Sequence, residues 1–405
     1  MMILVEIHNI TKQHKYYKEL DKLTFLSKNL YNSTLYTVRQ YYFKHGEYLG
    51  YNDVNRIFTH TDQVDYRALP AKVAKHTQKL VDQDFKSFFA LLRKVKTGTY
   101  NKKVHIPRYA DKIHGRKKVH YERGALSFKR KGYIKLSKTN IYIKTKLKEE
   151  DINYVDIIPC NGYIKLLVGY EKAINKFTLN KRYAAIDLGV NNLATVSSNV
   201  IEPFIINGKP LKSINQLANK KLSKQKSMLP KNVYTSQSIK NILLKRENRI
   251  NNYLHKASTY IVNQLVSNNI SVLIIGYNKE WKQDINMGKV NNQKFMYIPF
   301  NKFISMLKYK CELAGIGVIL QEESYTSKCS FLDNEDVAKH EYYKGRRVHR
   351  GLFKASTGHI INADLNGSLN IMKKCLERNA VWDSQLWLDL IEASSRPNIY
   401  KINFV

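Results

Sequence analysis

Acidic residues are scarce in this chain. Its 405 residues carry 33 Asp and Glu against 68 Lys and Arg, a formal net charge of +35. An excess on that scale repels itself unless an anion neutralises it, which points to nucleic acid as the partner. Cysteine is scarcer still: Cys160, Cys311, Cys329 and Cys375 are scattered, and none belongs to a CxxC pair. That argues against a disulfide framework and fits a reducing, cytoplasmic setting. No run approaches the ~18 consecutive apolar residues of a membrane span. Met1 to Ile10 alternates apolar and polar residues and lacks the apolar core of a signal peptide. There is no internal repeat and no low-complexity tail.

What the chain does have is a globular composition, with 43% hydrophobic residues against 25% charged ones, so cores are expected. Its length suggests two or three domains. The 28 tyrosines and 15 phenylalanines can stack bases where cations hold phosphates, although much of this content must be ordinary core.

Periodicity divides the chain. Residues 1–10 read as a strand. Residues 15–45 read as a helix on the spacing of Leu20, Leu23, Leu30, Tyr31 and Val38. A second helix starts at Pro70, a residue suited to a first helical position, and ends near Gly98. Its apolar stripe includes Val73, Val81 and Phe85, and Lys72, Lys75, Lys79 and Lys86 lie on the other face. From about 100 to 180 the period becomes two. Short strands are expected at Tyr133–Leu136, Ile141–Lys144, Val155–Ile158 and Tyr163–Val168, with turns at Lys131-Gly132 and Asn161-Gly162. Beyond 180, strands and helices alternate, the pattern of a layered α/β domain. Strands are expected at Tyr183–Asp187, Leu193–Ser197, Val272–Gly276 and Gly317–Leu320. Helices are expected over 212–268, 300–313 and 362–374. The last 25 or so residues give no readable pattern.

Against this basic background a few acids stand at element ends. Asp187 closes the run Ala184-Ala185-Ile186. Glu322-Glu323 follows Val318-Ile319-Leu320. Asp364 opens the final helix. Taken singly, each has an ordinary explanation as turn former, solvated strand exit or helix cap. Together, in one α/β domain of a polycation, they make the carboxylate set that two-metal phosphodiester cleavage requires.

Ala185-Ile186-Asp187-Leu188-Gly189-Val190-Asn191-Asn192-Leu193-Ala194-Thr195 resembles the first RuvC motif of the TnpB (OrfB-type) transposon proteins. Tyr325-Thr326-Ser327-Lys328-Cys329-Ser330 resembles the family's YTS-x-C stretch. Asn362-Ala363-Asp364-Leu365-Asn366-Gly367-Ser368-Leu369-Asn370-Ile371 is similar to its last motif. Leu26-Ser27-Lys28-Asn29-Leu30-Tyr31-Asn32, Leu69-Pro70-Ala71-Lys72 and Ile106-Pro107-Arg108-Tyr109 fit its N-terminal half. The resemblance runs over nearly the whole chain in the family's order.

It implies an α/β multidomain protein. A wedge β-barrel (1–15 and 100–180) would carry an inserted helical recognition domain (16–99). An RNase H-like RuvC domain (181–324 and 360–378) would have a helical insertion and a degenerate zinc ribbon at 325–359, and a tail would follow at 379–405. The implied activity is RNA-guided DNA cleavage, related to type V CRISPR effectors. The partners would be a guide RNA, one per monomer, and a double-stranded target DNA beside a short adjacent motif. Asp187, Glu323 and Asp364 would hold two Mg²⁺ ions, with Glu322 as the alternative to Glu323. Lys75, His76, Lys79, Arg108, Arg346, Arg347 and Arg350 are the expected nucleic-acid contacts, the first three being candidates for the adjacent motif.

Two departures from the family pattern stand out. The usual glutamate after the middle strand is missing, since Gly276-Tyr277-Asn278 occupies that place. Glu323 resembles the relocated glutamate of some branches. The ribbon retains only Cys329, because Phe331 and Leu332 follow it and Lys354 and Thr357 stand at the second pair. One cysteine cannot hold a structural zinc, so none is expected. His340, His349 and His359 lie nearby. The missing glutamate leaves open a nuclease-dead RNA-guided binder, and the family's older label leaves open a transposase accessory protein.

Overall fold

The computed structural model describes residues 1–278, 297–349, 351–394 and 400–404. The chain divides into two compact units, Met1–Lys172 and Ala173–Val405.

The first unit begins with β1 (Met2–Thr11), followed by α1 (Tyr17–His45), α2 (Tyr51–His60), α3 (Val64–Arg67) and α4 (Ala71–Lys96). Helix α1 stops where Gly46 turns left-handed at φ 72°, a conformation that favours glycine. Six strands follow: β2 (Val119–Glu122), β3 (Leu126–Ser127), β4 (Tyr133–Leu136), β5 (Tyr142–Lys144), β6 (Ile152–Cys160) and β7 (Tyr163–Lys172). The long β6–β7 hairpin turns at Gly162, φ 94°. The strands make a four-stranded sheet in the order β1-β7-β6-β2 and a separate three-stranded sheet β3-β4-β5. All these pairings are antiparallel, and they do not close into one ring. Leu20, Leu30, Tyr31 and Leu35 of α1 and Val73, Val81 and Phe85 of α4 share one core with Val119, Tyr121, Val155 and Val168 of the sheet. The amphipathic stripes read from the sequence thus form the packed faces.

In the second unit the strands are β8 (Tyr183–Leu188), β9 (Asn192–Ser198), β10 (Phe204–Asn207), β11 (Val272–Tyr277), β12 (Gly317–Glu322), β13 (Arg346–His349), β14 (Leu352–Lys354), β15 (Ile360–Asn362) and β16 (Tyr400–Ile402). The helices are α5 (Lys209–Ser227), α6 (Gln237–Ser267), α7 (Phe300–Ala314), α8 (Ala363–Arg378) and α9 (Ser384–Ser394). The main sheet runs β12-β11-β8-β9-β10-β16. Strands β8, β11 and β12 are parallel, and β9 is antiparallel to β8. Buried on both faces, β8 reads as a continuous apolar run. Ala184 and Ile186 face the core shared with α6 and α7, whereas Tyr183 and Ala185 face α8 and α9. By the two-residue period, Asp187 belongs to the α8 face. Residues 379–405, unreadable by periodicity, supply α9, with Leu386 and Leu390 in the core, and the edge strand β16 paired with β10. Among the described residues no helix is long and apolar enough to cross a membrane.

Residues 325–359 are held by polar clamps from α8 and a small core. Asn366 donates from Nδ2 to the Cys329 carbonyl (2.8 Å) and accepts from the Phe331 amide (3.0 Å). One turn on, Asn370 Nδ2 donates to the carbonyls of Thr326 (2.9 Å) and Cys329 (2.7 Å). The buried Lys373 ammonium donates to the Asn334 and Glu335 carbonyls and to Asn334 Oδ1. The Glu335 carboxylate accepts from the Ser330 and Lys344 amides. Cys329, Phe331, Phe353 and Ala355 are buried around these bonds. Burial pushes the Cys329 thiol up. Histidines 340 and 359 engage the Asp336 carbonyl and Thr357 Oγ1 respectively.

Replacing Asn366 by Leu would leave the buried Phe331 amide without its acceptor and should destabilise the second unit by about 2 kcal/mol or more. Asn263→Ala, on an exposed position of α6, should stay within about 0.5 kcal/mol. Urea unfolding followed by tryptophan fluorescence can read the difference. Trp387 donates from Nε1 to the Phe331 carbonyl and Trp382 packs edge-on against the Phe331 ring.

Candidate active site

Three chain segments bring acids to one end of the parallel strands β8, β11 and β12. Asp187 is the fifth residue of β8. The turn after it is tight, since a Cβ on Gly189 would lie 2.7 Å from the Asn192 carbonyl oxygen. That turn returns Asn192 to the same end of the sheet, where its Nδ2 donates to Asp364 Oδ2 at 2.7 Å. Asp364 stands in the first turn of α8. Asn362 caps this helix, its Oδ1 accepting from the amides of Asp364 (2.9 Å) and Leu365 (3.2 Å). The placement suits a carboxylate at the positive end of a helix.

Helix α8 crosses β8 at very short range. A Cβ on Gly367 would sit 2.9 Å from Asp187 Oδ2. One residue on, Ser368 Oγ donates to the Ala185 carbonyl (3.0 Å) and also meets Ser197 Oγ (2.8 Å). Glycine at 367 is therefore a spatial requirement: it makes room for the carboxylate of the neighbouring strand.

The third acid arrives from β12. In the parallel ladder Ile275 pairs with Ile186, and Gly276 pairs with Gln321. Gly276 therefore lies beside Asp187 and on the same face. A Cβ there would meet Ile371 Cδ1 at 2.6 Å, Glu323 Oε2 at 3.2 Å and the Ile186 carbonyl at 3.3 Å. The space above Gly276 is occupied by the Glu323 carboxylate. Glu322 points elsewhere. It is exposed, pairs with Lys374 at 2.8 Å and accepts from the Ser324 amide at 2.7 Å. Some desolvation pushes Glu322 up, but these hydrogen bonds outweigh it and hold the group below the usual carboxylate range.

Asp187 has a proton affinity well above that of an ordinary aspartate. Burial is the main cause, followed by the negative charges of Asp364 and Glu323, with partial relief from Arg347. Asp364 and Glu323 thus both act electrostatically on Asp187. Arg347 on β13 reaches Asp364 Oδ1 with Nη2 at 3.5 Å, and Lys401 donates to Asn192 Oδ1 at 2.7 Å. Among the described residues no group of three or more His, Cys, Asp or Glu is closed tightly enough to hold a metal ion as it stands. The chemistry of the donor set nevertheless suits a hard divalent cation. It is all carboxylate oxygen, and its like charges would be relieved by one.

The other sequence-derived candidates are dispersed. Lys75 and Lys79 are exposed on α4, and Lys79 lies over the Tyr51 ring. His76 contacts Glu122 and its ring lies 4.2 Å from that of His120. His76, Lys79, Lys118 and His120 line a cleft of about 220 Å³ in the first unit. Arg108 is exposed in an irregular segment, and Arg346 is exposed on β13. Arg350 lies outside the described residues. Sequence reasoning missed Asn192 and the clamps Asn366, Asn370 and Lys373. Their signal was present as polar residues at i, i+4 and i+7, interleaved with the apolar Leu365, Leu369, Ile371 and Met372 of the same helix.

Asp187→Asn removes one acid from this crowd, and the metal-free protein should gain stability. A raised folded-state value means that the stability tied to the proton is complete at low pH. It is lost as pH climbs from the ordinary 3.8 through the raised value. In chelator at neutral pH the variant should melt several degrees above wild type, and acidification should close the gap. Millimolar Mg²⁺ should raise the wild-type midpoint and leave the variant nearly unchanged. Calorimetry at several pH values checks all three outcomes.

Comparison with known proteins finds matches to two segments of the chain and to its fold. Residues 166–282 match the OrfB_IS605 family, described as a probable transposase, and residues 300–371 match the Cas12f1-like TNB domain. A search of curated proteins finds no match. Among solved structures, a cryo-EM Cas12f1–sgRNA–target DNA complex aligns over 87% of this chain and 82% of its own, with 14% identity and a TM-score of 0.52. That likeness shows the fold. A CRISPR-Cas12f ternary complex aligns over 88% and 82% at 14% identity and a TM-score of 0.37. C2c1 of Alicyclobacillus acidoterrestris with single-guide RNA aligns over 88% and 70% at 8% identity and a TM-score of 0.36. The first family match contains Asp187 and the second contains Glu323 and Asp364, in chain order, and these two matches support a TnpB-like family member.

Proposed function

We propose that the protein is a transposon-associated RNA-guided DNA endonuclease with one RuvC-type site. In this reading a monomer holds one guide RNA derived from the transposon end. It recognises a short motif beside a double-stranded target and cleaves where guide pairing has opened the duplex. The observation that carries the proposal is the Glu323 carboxylate lying over Gly276, beside Asp187. The absent glutamate after β11 was the main reason to suspect a nuclease-dead binder, and a glutamate from the next strand occupies that space. The family matches support the same reading, and the relative of similar fold was solved with sgRNA and target DNA.

Asp187, Glu323 and Asp364 would hold Mg²⁺. Bound there, two such ions would supply an activated water and stabilisation of the leaving oxygen. The chain's own residues prepare the site. Asn192 fixes one oxygen of Asp364, and the helix cap fixes its backbone. Arg347, against the other oxygen, would turn toward a scissile phosphate if a bound cation took over the charge of the aspartate. Lys75, His76 and Lys79 are proposed to meet the adjacent motif. Arg108 and Arg346 are proposed to contact backbone phosphates, with Arg350 in the same role by sequence.

Cleavage of a target duplex by the purified protein–RNA complex in Mg²⁺ tests this. Asp187→Ala and Glu323→Gln should each lower the rate about a hundredfold or more. Glu322→Gln, which loses only an exposed pair with Lys374, should stay within a few-fold of wild type. Cutting that survives Asp187→Ala would sink the assignment. Guide-dependent binding without cutting, at ample Mg²⁺, would favour a nuclease-dead binder.

A further inference from the structure

The helices α5 and α6 meet along two faces of unlike chemistry. On α5 the facing residues are Ile214, Leu217, Ala218 and Lys221, at i, i+3, i+4 and i+7. On α6 they are Ser238, Asn241, Ile242, Lys245, Arg246 and Arg249, again at helical spacing. Two amphipathic helices normally close such a seam with apolar residues from both sides. Here α6 offers three cations where α5 offers an apolar floor. Closing the seam would bury those charges without compensation, and a cleft of about 340 Å³ remains between the helices. Among the described residues none that lines it is acidic.

Arg246 is the built part of this cleft. It is half-buried, and burial pulls its proton affinity below that of a free guanidinium. Its Nε donates to Oδ1 of the buried Asn215 at 2.7 Å, and its plane lies 4.9 Å from the Tyr297 ring centre. A neutral amide and an aromatic face thus orient the guanidinium, and Glu247, its chain neighbour, is the acid that acts on it. Lys221, Lys245 and Arg249 ring the exposed side. The surroundings deepen the field, since residues 209–256 hold twelve Lys and Arg against the single acid Glu247.

We infer that this cleft binds one unpaired nucleotide of a single-stranded RNA. The phosphate would lie among Arg246, Lys245, Arg249 and Lys221, and the base would lie on Ile214 and Leu217. The volume sits at the small end of ligand sites, which suits a single nucleotide and excludes a duplex. Cations beside an apolar floor match a phosphate joined to a flat, weakly polar base. Ser238 and Asn241 add hydroxyl and amide groups that can pair with a ribose 2′-hydroxyl, and these favour RNA over DNA. This site is on the helices inserted between β10 and β11, apart from the carboxylates, so it stands whether or not the protein cleaves DNA.

Photocrosslinking tests it. The full-length protein is irradiated with a short RNA containing 4-thiouridine, digested and mapped by mass spectrometry. Crosslinks are expected within α5 or α6, at residues lining the cleft. The double variant Lys245→Glu, Arg249→Glu, which alters only exposed side chains, should reduce those crosslinks about tenfold and leave crosslinks in the first unit unchanged. An unchanged melting temperature shows that it is folded, and Leu217→Asp, on the exposed floor, should give the same local loss. Absence of crosslinks on both helices overturns the inference. So does equal loss across the whole chain, which would mean diffuse attraction without a site. Equal labelling by the corresponding 4-thiothymidine DNA overturns the assignment to RNA.

Discussion

The close passage of α8 over β8 is the constraint on which the second unit depends. With Gly367 only 2.9 Å in Cβ terms from the Asp187 carboxylate, a larger residue at that position would displace the carboxylate or the helix. Their separation places Asp364 and Asp187 in one electrostatic environment. That environment opposes folding, because like charges are crowded and one is deeply desolvated. The helix stays in place because apolar contacts from Leu365, Leu369, Ile371 and Met372 combine with buried hydrogen bonds from Asn366, Ser368, Asn370 and Lys373. Repulsion at one end of the helix is tolerated because the rest is held along two faces. This is the usual relation between a strained functional site and the structure that supports it.

Gly276 shows how one strand can leave room for a carboxylate carried by its neighbour without any change of fold. Strands β11 and β12 are parallel and adjacent, so residues just past their ends lie at similar heights. A glutamate after β12 can reach the space that a side chain after β11 would fill, provided β11 carries nothing there. Glycine supplies that vacancy. The carboxylate then lies beside Asp187 in either arrangement.

Much of the fold was legible in the sequence because its signals are local. The stripe of α1, the two-residue period of β4 to β7 and the apolar runs of β8, β11 and β12 each state their own structure. The short helix α2, with two fully buried residues, Val54 and Phe58, offered too little periodicity to read. Strand β16 was equally silent, since three residues become a strand only through pairing with β10. At the site, Asp187 and Asp364 stood out as acids at element ends. Glu322 and Glu323 stood in the sequence as adjacent alternatives, whereas in the structure their partners differ: Lys374 for one, the space over Gly276 for the other. Arg347 was legible as a cation but not as a neighbour of Asp364. That relation spans a sheet and a helix start and has no local signature.

The insertion at 325–359 is held by buried charges that gather backbone groups from several chain segments. A structural zinc draws several chain segments to one point and fixes their backbone amides. Here the Glu335 carboxylate gathers the Ser330 and Lys344 amides, and the Lys373 ammonium gathers the carbonyls around Asn334. Both charges are buried and both are hydrogen-bonded, the condition under which burial is tolerated. Because the ammonium belongs to α8, the insertion is anchored to the helix that carries Asp364. It is also continuous with that helix, for β15 ends at Asn362, the residue that caps α8. Arg347, on β13 of the same small sheet, completes the circuit at Asp364. Any displacement of the insertion on a bound nucleic acid would therefore bear on the position of the aspartate and its counter-charge, through a covalent strand-to-helix junction and a salt bridge at the same residue.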